Sequence, residues 1–110
     1  MQEIKVERAK VGYMGIVPAA VSDEQREANG LADDEGILLR QVVPDGPSGK
    51  AGLLAGDILI RVAGRAIGTS TLGRRMQQIG AGERVEMTVI RDGERLSLTV
   101  KLGQRPGRRR

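Results

Sequence analysis

The chain has 110 residues, room for one domain, and contains no Cys and no His. Disulfides, thiolate zinc sites and the Ser-His-Asp and Cys-His arrangements are therefore excluded. The net charge of +4 comes from the last six residues, where Arg105, Arg108, Arg109 and Arg110 have no acidic neighbour; residues 1–104 balance 14 bases against 14 acids.

Tyr13 is the sole aromatic residue, so the core must be aliphatic and no stacking platform for nucleic acid exists. A Ser-Lys pair is conceivable at Ser48 and Lys50, but both read as residues of a solvated loop. No apolar run approaches the roughly 20 residues of a membrane span, and the N-terminus has no apolar signal core. No membrane insertion, metal or cofactor is expected.

In chain order, Gln2–Arg8 alternates Ile4 and Val6 with charges, the pattern of a half-buried edge strand. Residues 1–9 are read as this strand or a linker. Lys10-Val11-Gly12 is a connector, and Gly15–Ala19 a short apolar strand stopped near Pro18. Ser22-Asp23-Glu24-Gln25 is a capping box that starts a helix to about Ala28, and Asn29-Gly30 stops it. Asp33-Asp34-Glu35-Gly36 is a polar turn lacking the ligand spacing of a calcium loop.

Ile37–Val43 predicts a strand with Ile37, Leu39 and Val42 inward. A turn at Pro44-Asp45-Gly46-Pro47 leads to one helical turn over Ser48–Leu53, capped by Ser48. Asp57–Val62 is a near-continuous apolar run and reads as a central strand. Gly64 turns the chain into a short strand at Arg65-Ala66-Ile67. Ser70 or Thr71 caps a helix running to about Ile79, with Leu72, Met76 and Ile79 on one face. Val85, Met87 and Val89, the turn Asp92-Gly93, and Leu96, Leu98 and Val100 predict a closing hairpin. Residues 103–110 read as a disordered basic tail. The order predicts a mostly antiparallel, barrel-like sheet capped by helices.

Four stretches resemble a bacterial-type PDZ domain, most like those after the protease domain of HtrA/Do-like serine proteases. Tyr13-Met14-Gly15-Ile16 is similar to the carboxylate-binding loop, and Ser22–Leu31 to the extra short helix of that subfamily. The stretch from Val42 to Leu59, with Ala51-Gly52-Leu53-Leu54-Ala55-Gly56-Asp57, is the most specific. Leu72–Gly93 is similar to the groove helix and final hairpin. The resemblance spans residues 10–102. It implies an α+β fold, a five- to six-stranded antiparallel, partly open barrel capped by two main helices. It also implies a non-catalytic module that binds the free C-terminus of a partner.

The residues of that site follow from the resemblance. Met14, Gly15 and Ile16 would offer backbone N–H groups to a carboxylate, since successive amides in a turn form an anion nest. Lys10 would add a charge. The ligand would extend along Ile16, Val17 and Pro18 by strand addition. Leu72, Arg75, Met76 and Ile79 of the helix, with Tyr13, would complete the groove. Leu72 stands where many relatives carry a His, so an apolar residue is expected two positions before the ligand terminus. Ile16, Met76 and Ile79 imply an apolar last residue such as Val, Leu, Ile or Ala. Pro18 departs from the pattern: it has no N–H, which removes one ladder bond worth about 0.5–1.5 kcal/mol. Binding in the micromolar range or weaker is expected.

Two other uses of the chain remain open. The fold can serve as a spacer or oligomer contact with a vacant or self-occupied groove, which Pro18 favours. The Arg tail can contact nucleic acid or an anionic surface, against which the neutral domain and missing aromatics argue. An isolated monomer, with at most weak self-association, is expected. The compartment is not fixed by the sequence and would be the bacterial envelope in the protease context.

Overall fold

A computed structural model describes residues 12–104. The expected strand at Gln2–Arg8, Lys10 and residues 105–110 lie outside the described residues.

Eleven elements follow in order: β1 (Gly12–Tyr13), β2 (Ile16–Ala19), α1 (Asp23–Asn29), β3 (Ile37–Val42), α2 (Pro47–Ala51), β4 (Ile58–Val62), β5 (Arg65–Ala66), α3 (Leu72–Gln77), β6 (Arg84–Arg91), β7 (Glu94–Lys101) and β8 (Gly103–Gln104). Six strands form one antiparallel sheet, β2-β3-β4-β6-β7, with β5 paired to β4. The sheet is not closed; β2 and β7 are its edges. A separate two-stranded ladder joins β1 to β8. Among the described residues, no helix is long and apolar enough to cross a membrane.

The run Ile58-Leu59-Ile60 in β4 is apolar on both sides because both faces are covered. Leu59 and Val62 join the main core with Ile37, Leu39, Leu53, Met76, Met87 and Val89. Ile58 and Ile60 face a second cluster with Val21, Leu31 and Ile90, at the two ends of α1. Alternation along a strand sends neighbouring side chains to opposite faces, so a strand covered twice reads as continuous hydrophobicity.

The predicted capping box holds. Ser22 Oγ accepts from the Gln25 N–H at 3.0 Å, and Gln25 Oε1 accepts from the Ser22 N–H at 3.2 Å. Three local readings are corrected. Ser48 is no cap and no loop residue: Gly46 is the cap of α2, Pro47 its first residue, and Ser48 is fully buried. Proline suits a first helical position because the missing N–H has no partner there. Helix α3 stops at Gln77, so Ile79 falls beyond it. Thr71 is its N-cap residue, one of the two expected, but makes no side-chain capping bond: Thr71 Oγ1 accepts from the Gly68 N–H at 2.9 Å, and Ser70 Oγ donates to the Asp34 carboxylate. Finally, Gly103–Gln104, read as the start of a disordered tail, form β8.

A buried ion pair ties the end of the hairpin to the turn before β4. Arg91 donates from Nε and Nη2 to the two carboxylate oxygens of Asp57, at 2.9 and 2.7 Å. Asp57 is 2% exposed and also accepts from the Leu54 N–H at 2.9 Å. A third Arg91 bond, also from Nη2, reaches the Gly52 carbonyl at 2.9 Å. The hydrogen bond to Asp57 raises the Arg91 pKa above its ordinary value, outweighing the desolvation that lowers it.

Candidate functional site

The loop between β1 and β2 is held by its carbonyls. Met14 C=O accepts from the Ser48 N–H at 3.0 Å, and Gly15 C=O from the Val43 N–H at 2.9 Å. A trans peptide unit points its N–H opposite its C=O. With both carbonyls turned toward α2 and the end of β3, the amides of Gly15 and Ile16 turn the other way. Gly15 has φ +75°, a left-handed conformation that glycine adopts without the strain a side chain would bring.

On that outward side lies a groove of about 880 Å³ between β2 and α3. Met14, Gly15 and Ile16 form its head; Pro18, Ala19 and Ala20 one wall; Leu72, Gly73, Met76 and Gln77 the other; Ile37 and Thr69 also line it. The orientation of α3 is fixed at both ends. The Gly12 N–H donates to the Ile79 carbonyl at 3.0 Å, which sets the end of α3 beside the loop. At the start, Gly68 bridges Gly36, and a Cβ on Gly68 would lie 1.7 Å from the Asp34 carbonyl oxygen. Only glycine permits that approach.

The free edge of β2 follows from its register. Ile16 pairs with Val42, and the bond from Val43 N–H to Gly15 C=O makes this a pair whose own N–H and C=O face outward. Pro18 pairs with Leu39, whose N–H and C=O are committed to Asp57 and Gly56 at 2.9 and 2.8 Å. Pro18 therefore faces the free edge as well, with a carbonyl and a ring in place of an N–H. Between them the register shifts, leaving Arg40 as the extra residue of β3.

Of the residues singled out in the sequence, Tyr13, Met14, Gly15, Ile16, Pro18, Leu72 and Met76 line this groove. Val17, Arg75 and Ile79 do not. Val17 pairs with Gln41. Arg75 donates to the carbonyls of Val62 and Ala63, both at 3.3 Å, and to Gln78 Oε1 at 2.9 Å, which pins α3 to the β4–β5 hairpin. Ile79 is 6% exposed and belongs to the core. The wall residues Thr69, Gly73 and Gln77 were missed. They extend Leu72 and Met76 at helical spacing, so a stripe read without regard to polarity finds them. Among the described residues, no charged side chain lines the groove. Its polarity comes from backbone, Tyr13, Thr69 and Gln77.

The open sheet, the loop with outward amides and the helix-walled edge strand define a PDZ domain. The family model for the PDZ domain matches residues 12–102, and the chain belongs to that family. Among curated proteins it is similar to a "Probable periplasmic serine endoprotease DegP-like" of Halomonas elongata, 34% identical over 96 residues. A protein of the same description from Marinomonas sp. is 38% identical over 103 residues, covering 93% of this chain and 21% of the relative. The Halomonas match covers 86% of this chain and 20% of the relative, so the chain spans about a fifth of such proteins. Among solved structures, "HtrA-type protease AlgW with tripeptide" superposes with a TM-score of 0.73 at 30% identity, covering 91% of this chain and 34% of that one. The HtrA3 PDZ domain bound to a phage-derived ligand (FGRWV) shares the fold, with a TM-score of 0.65 at 22% identity over 83% of this chain and 84% of that one.

Proposed function

We propose that this chain is a peptide-binding module that captures the free, apolar C-terminus of a partner or substrate by strand addition. Its context is the regulatory or substrate-recognition part of a bacterial periplasmic protease, the setting of its curated relatives. One observation carries the reading: two successive outward amides, Gly15 and Ile16, stand at the head of an uncharged groove beside a free strand edge. A carboxylate accepts from such amides while an apolar side chain enters between Met14, Ile16 and Met76. Lys10, upstream of the loop, is proposed to add charge. The chain itself carries no proposed catalytic role.

The test is an NMR titration of the labelled chain with short peptides ending in Val, Leu or Ala, each as free acid and as amide. Shifts at residues 14–16 and at Leu72–Gln77 are expected with the acid alone, with affinities in the micromolar range or weaker. Equal shifts with acid and amide would remove the carboxylate from the mechanism. No shifts at millimolar peptide would support the second reading, a spacer or self-contact domain, for which Pro18 on the free edge is the supporting observation.

A further inference from the structure

The groove is not uniform along its length. Toward the loop its walls are large and apolar, Met14, Ile16 and Met76, with Leu72 farther along at the start of α3. Beyond Leu72 they are Ala19, Ala20 and Thr69, which offer little side chain to read with. The backbone changes at the same place. Ile16 presents N–H and C=O to the free edge, whereas the next outward residue, Pro18, has only a carbonyl. Its ring stands where the N–H would, and holds off an opposing carbonyl. The register shift between Val17 and Pro18, with Arg40 as the extra residue of β3, increases the local twist beside this point.

From these two independent observations we propose that the site has a short reach, an inference that rests on the C-terminal capture proposed above. Main-chain pairing ends at Ile16, whose carbonyl accepts the N–H of the last ligand residue. The third residue from the end is held by apolar contact with Leu72, because the Pro18 ring keeps the ligand backbone away from the Pro18 carbonyl. Residues farther upstream are not read. The partners admitted are protein C-termini defined by their last residue and by an apolar third residue from the end, proline included. Pro18 is the residue that sets this limit.

The experiment measures affinities of the full 110-residue chain for four N-acetylated peptides. They are a tripeptide and a hexapeptide sharing one apolar free-acid end, the hexapeptide with proline third from the end, and the hexapeptide amide. The first three are expected to agree within about two-fold, and the amide to bind at least about ten-fold more weakly. In Pro18→Val the restored N–H is expected to make the hexapeptide about five-fold tighter than the tripeptide, and to make proline at the third position costly. If the native chain already prefers the hexapeptide by about five-fold and rejects the proline peptide, the ladder passes Pro18 and short reach is wrong, while C-terminal capture stands. If acid and amide bind alike, or nothing binds, C-terminal capture fails and short reach falls with it.

Discussion

Asp57 and Arg91 stand 34 positions apart, and nothing in either neighbourhood announces that they meet. Asp57 reads as the polar start of a strand and Arg91 as the charge before a hairpin turn. Tertiary structure makes them a fork of two short bonds around a buried carboxylate. An arginine matched in this way cannot be replaced by a lysine without losing one arm. Arg91→Ala leaves the Asp57 carboxylate buried with the Leu54 amide as its remaining bond, and is expected to destabilise the fold by about 3 kcal/mol. Urea denaturation checks this, with Arg91→Lys falling between. By contrast, Gly15 was legible from sequence, because a glycine between Met14 and Ile16 marks a turn. Ser48 was not: its hydroxyl suggested a cap, yet a proline ahead of it moved the helix start one residue back.

Elements show the same division between local and long-range information. The capping box of α1 and the Asp92-Gly93 turn are set by residues within a few positions of each other, and both were readable. Asp92 and Gly93 have φ of 52° and 81°, the left-handed pair expected of a two-residue hairpin turn. The end of α3 was misplaced because Ile79 completes an apolar stripe although the helix stops at Gln77 and the Ile79 carbonyl turns to Gly12. Periodicity reports which side chains are buried, not whether the backbone is still helical. Arg75, implied by the resemblance to line the groove, instead donates to backbone carbonyls of the β4–β5 hairpin and to Gln78. Within α3, Gly73 is exposed and a Cβ there would meet nothing within 4 Å. Gly73→Ala is therefore expected to raise stability by about 0.5–1 kcal/mol, seen as a higher melting temperature.

For the whole molecule, the number of rungs between strands ranks the regions. Strands β6 and β7 share eight register pairs, and β1 and β8 only two. Local opening follows such differences in hydrogen bonding and burial. Amide exchange is expected to be slowest at Met87–Ile90, in the centre of β6, and faster in the β1–β8 ladder; a native-state exchange experiment reads both. The fold class and the groove's position were legible because they follow from alternation, turn glycines and one helical stripe. The free-edge place of Pro18 was legible only through the resemblance, while the register shift opposite Arg40 was not, since it depends on how Leu39 pairs with the chain on its other side.

The β1–β8 ladder also has a mechanical meaning. Gly12 pairs with Gln104, so two points far apart in the sequence lie side by side in an antiparallel ladder. A pull on those two points loads the rungs one after another, as a zipper is opened, and does not shear them together. The first segment to peel is β1, which runs directly into Met14 and Gly15. Tension along the backbone would thus reach the Met14–Gly15 loop while β3, β4, β6 and β7 remained paired, and under the proposed function grip on a chain end would respond to force before the domain unfolds.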